Sequence, residues 1–544
     1  MTHRGVIAAW NICPLFQGIG FACTLINFFL NCYYTVILSW AFHFIFSSFT
    51  TELPWTKCGQ EWNTPACTVF SNQPINLEVS QHTINVTNTA MSNQSVLEVD
   101  ATTEYWENRV LRISDGIHDI GTIQWDLALC LLLTWVIIYF CICKGIKTSA
   151  KIMYVTVLLP YLFMFILLIR TLLLDGASVG LIHYLKPDWS KLTDMTVWSD
   201  AGTQIFFSYS LGLGVLTGFG SYNKIHHNSL RDCCLFAVAN TFTSLLSGCI
   251  IFATLGYMSH ISNIPMNLIA ESGPGLGFVV YPKAIGTMPF SSLWSICFFS
   301  MIILLGIDSM FGGVEGIITA VADYFPKAFA KTWIRCTFVG GVCIVNYLIG
   351  LSMVTNGGMY IFQLFDYYSG SRIILIVGLL ESAVIGYIYG FKRISNDMKR
   401  MYGFSLKWIV FLFWCILTPI FSLILFIISV IVYEELTYKR VSSNEPYHFP
   451  GWAVKSGWLM ASSSVFLIPI VMIYKVLTTS GTFVERIKTL CLPIVENENG
   501  LVEIPKSSII NSSGIVNYHD DQNHFDQQGS TLIMENSSLN VSHL

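Results

Sequence analysis

Charge is what this sequence has least of. Lys, Arg, Asp and Glu together make up 11% of its 544 residues, whereas soluble domains carry about 25%. That scarcity, with 53% apolar residues and a mean hydropathy of +0.59, excludes an ordinary soluble globular domain. No basic face exists either. The net charge is -4, and the Lys and Arg residues fall in short loops between apolar runs, which removes nucleic acids and polyanions as partners. No nucleophile, base and orienting group occur as a set and no metal-ligand spacing appears, so no enzyme is expected. No internal repeat is visible. No cleavable signal peptide precedes the first apolar run, which is therefore expected to insert by itself.

Long apolar runs are what the chain has instead. A spanning helix needs roughly 20 predominantly apolar residues, and ten segments qualify, at approximately 16–46, 125–145, 151–174, 203–220, 233–257, 289–322, 334–354, 358–390, 406–433 and 452–478. The fourth and sixth are interrupted by glycine or polar residues. The fold class read from this pattern is an all-α polytopic membrane protein.

Its topology follows from the loops. Residues 47–124 contain the polar stretch WTKCGQEWNTPACTVF and the glycosylation sequons at Asn85 and Asn93, so this segment is expected outside the cell, with Cys58 and Cys67 as a disulfide. The other cysteines are mostly singletons in apolar segments, where a thiol packs as a small hydrophobe. The loops holding Lys144, Lys147 and Lys151, then Lys224 and Arg231, then Lys327, Lys331 and Arg335, then Lys392, Arg393, Lys399 and Arg400 all fall inside, as the positive-inside rule requires. An even number of spans puts both termini in the cytosol. Two domains result: a membrane domain over 1–490, and a polar tail over 491–544 expected to be disordered and cytosolic. The tail ends in Ser542, His543 and Leu544, a loose match to a ligand for PDZ-domain proteins, set against the reading of a tail with no partner.

Chemistry concentrates at two places. Asp308 follows a long apolar run in LWSICFFSMIILLGIDSMFGG, and an acid at membrane depth points to a functional site. Pairing with a buried cation and placement in water are the alternatives. With the Ser309 hydroxyl beside it, the ligand type suits a hard cation such as sodium and not zinc. The second place is GTQIFFSYSLGLGVLTGFGSYN, residues 202–223, where Gly212, Gly214, Gly218 and Gly220 follow Gln204, Ser208 and Ser210. The glycine spacing fails as a dinucleotide loop. It suits either a break in a membrane helix, which frees backbone groups to line a cavity, or close helix packing. Asn240, Thr243 and Ser244 share one face of the following helix, as ligands or as interhelical contacts.

The strings FFLNCYYTVILSWAFHFIFSSFTTELPWTKC, TQIFFSYSLGLG, ESGPGLGFVVYPKAI, LLGIDSMFGGVEGIITAVAD and GGMYIFQLFDYYSGS resemble the neurotransmitter:sodium symporter family, in wording nearest to its GABA, taurine, betaine and creatine branch. The likeness runs in order from about residue 5 to about 490. It implies a leucine-transporter-like inverted-repeat fold of twelve helices. The ten spans here match the third to the twelfth, so an N-terminal truncation lacking the first two membrane helices is expected.

Carried over residue by residue, the resemblance implies that Ser208 and Asn240 serve one sodium ion and that Leu305, Asp308 and Ser309 serve a second. Gln204, Ser208 and Ser244 match the site for a chloride ion. Leu30, Tyr34, Phe207, Ser208, Ser210, Ser309 and Gly313 match the solute pocket. Asp366 matches an extracellular gate, and Asp323 with Tyr222 an intracellular one. Met310, Ser210 and the Gly312-Gly313 pair depart from the usual pattern, and the small residue at Gly313 suggests a roomier pocket. The expected function is sodium- and chloride-coupled symport of a small amino-acid-like solute across the plasma membrane, by a chain that admits homo-oligomers. A non-transporting regulatory isoform and a passive ion pore are the alternatives. Because half the ion ligands would belong to the two further helices, residues 1–544 alone are expected not to transport and to be retained in the endoplasmic reticulum.

Overall fold

A bilayer offers no water to backbone N–H and C=O groups, so apolar segments that cross it must bond internally as helices. The computed structural model describes residues 5–69, 99–224, 226–266, 273–371, 373–404, 407–442, 445–496 and 502–503. Asn85, Asn93 and the tail from residue 504 lie outside the described residues. Among those described, nine helices are long and apolar enough to cross a membrane, beginning with Pro14–Ser47 and ending with Gly451–Thr478. Nine of the ten expected spans are matched. The exception is 203–220, which divides into Met195–Ser208 and Val215–Gly220, of 14 and 6 residues. The sixth expected span, 289–322, is not interrupted: Ser291–Ala322 is one helix of 32 residues. Its glycines pack instead of breaking it.

Those glycines build the central interface. Gly306, Gly313 and Gly316 recur at helical spacing on one face. A Cβ added at them would overlap Leu38 at the first and Asn31 at the second, and would lie 3.0 Å from the Asn27 Nδ2 at the third. Small residues let the Ser291–Ala322 helix lie directly against Gly18–Ser47, the way membrane helices associate when lipid offers no hydrophobic drive. The Ala177–Leu185 helix meets Ser229–Ser262 similarly, with Gly180 and Gly256 in contact.

At one end of this bundle an aromatic cluster ties the loops down. Trp40 meets Trp106 at 5.3 Å edge-on, and Trp106 stacks on Phe278 at 5.1 Å. The Trp55 Nε1–H donates to the Pro282 carbonyl at 3.2 Å. The Cys58–Cys67 disulfide lies beside the paired strands Cys67–Thr68 and Val99–Asp100, and in an antiparallel hairpin of Thr437–Lys439 with Pro446–His448 the Tyr447 hydroxyl accepts the Ile117 N–H at 3.2 Å. At the opposite end, residues from both extremes of the described chain meet. Ile494 N–H donates to the Asn11 carbonyl at 2.9 Å, and the Cys13 thiol reaches the Leu490 carbonyl.

Candidate functional site

The break in the 195–220 helix has a local cause. Ser210, Gly212 and Gly214 adopt φ of 52°, 70° and 72°, a left-handed region that glycine enters without strain and other residues rarely enter. Three such residues within five cannot continue a right-handed helix. The chain therefore runs unwound from Tyr209 to Gly214, and the helix restarts where the Gly218 N–H reaches the Gly214 carbonyl.

Ser208, the last residue before the break, is held by the neighbouring Ser229–Ser262 helix. Asn240 Nδ2 donates to Ser208 Oγ at 2.8 Å, and Ser208 Oγ lies 3.2 Å from Asn240 Oδ1. Tyr209 adds a bond to Thr241 at 3.2 Å. Gln204 stands one turn before Ser208, and Ser244 one turn after Asn240; both are exposed. The residues expected for the first sodium ion are thus in contact, and those expected for chloride share the same two helices. Thr243, from the same expected face, bonds Tyr161 at 2.6 Å and joins helices.

Asp308 lies on the Ser291–Ala322 helix and accepts a hydrogen bond from Thr156 Oγ1 of the Ile146–Leu172 helix. Leu305, Asp308 and Ser309 fall within one turn, and Ser309 Oγ donates to the Leu305 carbonyl at 3.2 Å. Carboxylate, hydroxyl and carbonyl oxygens come together here, the donor set that a hard cation favours. Leu30 and Phe207 are half-buried at the edge of the core, and Ser210 lies inside the break.

Gly313 is placed differently from expectation. It is buried against Asn31 and Asn27, and Asn27 Nδ2 donates to its carbonyl at 2.7 Å. The volume that a small residue frees is filled by these two side chains, so Gly313 does not widen a pocket. A Cβ built on Gly312 would lie 3.1 Å from Val215 of the second half of the broken helix. Asn31 is 1% exposed, and neither of its amide atoms has a hydrogen-bond partner among the described residues.

The two gates also differ in their partners. Asp366 opens the wide turn Asp366–Ser371, which lies against the Tyr33 hydroxyl at Gly370. Asp323 lies against Gly5 at the opposite end, while the Tyr222 hydroxyl donates to Glu315 Oε1 at 2.8 Å. Glu315 Oε2 in turn pairs with Arg335 Nη2 at 2.6 Å. Burial of the phenol and the Glu315 carboxylate raise the Tyr222 pKa, which keeps it a donor. Thr156, Asn27, Asn31, Glu315 and Glu381 escaped the sequence reading, and Arg335 was read only as a loop cation. For Glu315 and Glu381 the signal was present, since both are acids inside apolar runs, as Asp308 is.

The Glu315–Arg335 pair is nearly buried, with side-chain exposures of 6% and 15%. Removing one partner leaves an uncompensated charge. Arg335→Met is expected to destabilise the protein by about 3–5 kcal/mol, and Arg335→Met with Glu315→Leu by much less. Thermal unfolding of the purified variants in detergent checks this, and equal losses in the single and double variants would contradict it.

Comparison with known proteins places this geometry. The chain matches the Sodium:neurotransmitter symporter family over residues 1–479. It is 44% identical over 494 residues to the "Sodium- and chloride-dependent GABA transporter 2" of Rattus norvegicus and to that of Homo sapiens, covering 90% of this chain and 79% of each relative. The "Sodium- and chloride-dependent taurine transporter" of Bos taurus is 44% identical over 498 residues, covering 90% of this chain and 77% of the relative. An all-α polytopic membrane chain with one helix broken at its glycines, matched over this length, belongs to the sodium:neurotransmitter symporter family.

Proposed function

We propose that the chain performs sodium- and chloride-coupled symport of a small amino-acid-like solute of the GABA or taurine class. The observation that carries this is the broken helix, whose last residue, Ser208, is bonded to Asn240 on the neighbouring helix. Broken helices at membrane depth are the usual site of ion and solute binding in secondary transporters, because unwound backbone supplies carbonyl and N–H groups that a continuous helix keeps to itself. The names of the relatives support the two ions and the solute class.

In this reading Ser208 and Asn240 hold one sodium ion, and Leu305, Asp308 and Ser309 hold the other. The Asp308 charge offsets that of a cation stripped of water. Gln204, Ser208 and Ser244 present hydroxyl and amide donors to chloride, whose charge offsets part of the two cations. Tyr34, Leu30, Phe207 and Ser210 face the solute. One net positive charge crossing 100 mV contributes about 2.3 kcal/mol toward uptake. Asp366 with Tyr33 closes one side, and the Tyr222, Glu315 and Arg335 group closes the other, near Asp323. The loop 47–124 is outside and both termini are inside the plasma membrane.

The test measures sodium-dependent uptake of GABA, taurine, betaine, creatine and β-alanine in cells expressing residues 1–544. A second form, extended upstream with the segment of a GABA transporter 2 relative, is run beside it. Saturable sodium-dependent uptake by either form supports the proposal, and its absence from both rejects it. In the form that transports, Asp308→Asn abolishes uptake while surface biotinylation stays near the parent level; uptake with unchanged sodium dependence would remove Asp308 from the sodium site.

Ser244→Glu supplies a fixed negative charge beside Gln204 and Ser208, so uptake becomes largely independent of external chloride. Chloride dependence equal to the parent's would argue against that site. For topology, glycosidase treatment shifts the mobility of the parent, and the shift disappears in Asn85→Gln with Asn93→Gln. A shift that survives both changes would place the sugar elsewhere.

A further inference from the structure

We propose that the helix Phe391–Tyr402 carries a docking surface for anionic phospholipid headgroups, built from Lys392, Lys399 and Arg400 together with Lys407 at the start of the next span. Its place on the cytosolic side rests on the proposed topology; the contact with lipid does not.

The apolar helical stretch Gly358–Met401 is 44 residues long, far more than the roughly 20 that cross a bilayer. Part of it must lie outside the hydrocarbon, and two glycines mark which part. Gly390, at a φ of 94°, turns the chain out of the preceding helix. Gly403, at a φ of 79°, closes the next one with its N–H on the Lys399 carbonyl at 2.9 Å. The 12 residues between them form a helix of their own, tethered at both ends to membrane spans.

This helix has two unlike faces. Inward, Ile394 and Ser395 are 1% exposed, and the Phe391 ring meets Phe411 edge-on at 5.2 Å. Outward, Lys392, Asn396, Lys399 and Arg400 recur at helical spacing, and all are exposed. The other two charges of the helix are turned to Tyr389: Asp397 accepts its hydroxyl at 2.6 Å, and Arg393 lies 5.9 Å from the centre of its ring. The outer face is therefore cationic without a balancing acid. Among the described residues, Lys392, Lys399, Arg400 and Lys407 form no ion pair. Lys399 and Arg400 suit the helix end, where the backbone dipole is negative, but Lys392 stands in the first turn, where that dipole disfavours a cation. Local helix stability does not account for it.

Depth selects the partner. Just beyond Lys407, Trp408, Ile409 and Phe413 are exposed at 83%, 52% and 50%, a surface for lipid whose tryptophan belongs at headgroup level. The helix Phe391–Tyr402 packs on this stretch, so its cations are held at the same level, where the negative potential of an anionic leaflet reaches over ~8 Å. No apolar side chain shares the outer face, so the attraction is electrostatic and does not depend on insertion.

The test follows hydrogen–deuterium exchange of peptides covering 391–402 in the full chain, in nanodiscs of phosphatidylcholine alone or with about one part in three of phosphatidylserine. Phosphatidylserine is expected to slow exchange there about threefold at low salt, with the peptides of Ser291–Ala322 unchanged. The slowing fades in 1 M salt, where the Debye length is about 3 Å. Changing Lys392, Lys399 and Arg400 together to Gln removes it. Equal exchange in the two membranes, the result expected if the acidic residues within 496–535 occupy the face instead, overturns the proposal, and so does a triple variant that responds as the parent does. Because losing Lys399 and Arg400 also weakens the helix end, Lys392→Gln is measured alone. It relieves the dipole and is expected to leave about a twofold slowing; slowing equal to the parent's overturns the proposal. Both leaflets of a nanodisc carry the same lipids, so the result stands whichever side is cytosolic, and the glycosidase assay decides the topology separately.

Discussion

Everything in this protein depends on one constraint: inside a bilayer, a backbone amide that loses its helical partner has no water to fall back on. Among the described residues, nine helices obey it by remaining intact or bending through wider turns. The tenth segment breaks it between Tyr209 and Gly214, and the neighbouring helices are arranged around that break. Ser229–Ser262 supplies Asn240 to its first half, Ser291–Ala322 supports its second half through Gly312, and Ile373–Ala383 covers the turn itself. A feature that is locally costly persists only where its surroundings over-determine it, and such places concentrate at functional sites.

Much of this was legible in the sequence because hydrophobic length and glycine spacing are one-dimensional signals. Nine of the ten expected spans are continuous enough to stand as crossing helices, and the tenth is broken at the glycines read as breakers. The reading failed where the same residue has two uses. Glycines at 312, 313 and 316 look like those at 212 and 214, yet they sit in right-handed helix and serve contact with Asn27, Asn31 and Val215. Only a partner helix distinguishes them, and partner helices are distant in sequence.

Polar partnerships were the least legible part. That Asp308 is an acid at membrane depth follows from its flanks, but that Thr156 bonds it depends on how two helices separated by more than a hundred residues lie together. Likewise Tyr222 is visible as a loop tyrosine, while its Glu315 and Arg335 partners come from two other helices. Side-chain pairing across helices is a property of register, and composition says nothing of register.

The contact between the two extremes of the described chain bears on the order of assembly. Asn11 and Cys13 meet Ile494 and Leu490 across nearly the whole length of the polypeptide. During synthesis the earlier segment emerges first and waits for its counterpart until the last helix has entered the bilayer. Through that interval Pro14 and Leu15, buried in the finished protein, lack the cover of the Gly451–Thr478 helix that packs on them. The late segment around Leu490 therefore closes over the early one around Cys13, so this contact is among the last to form.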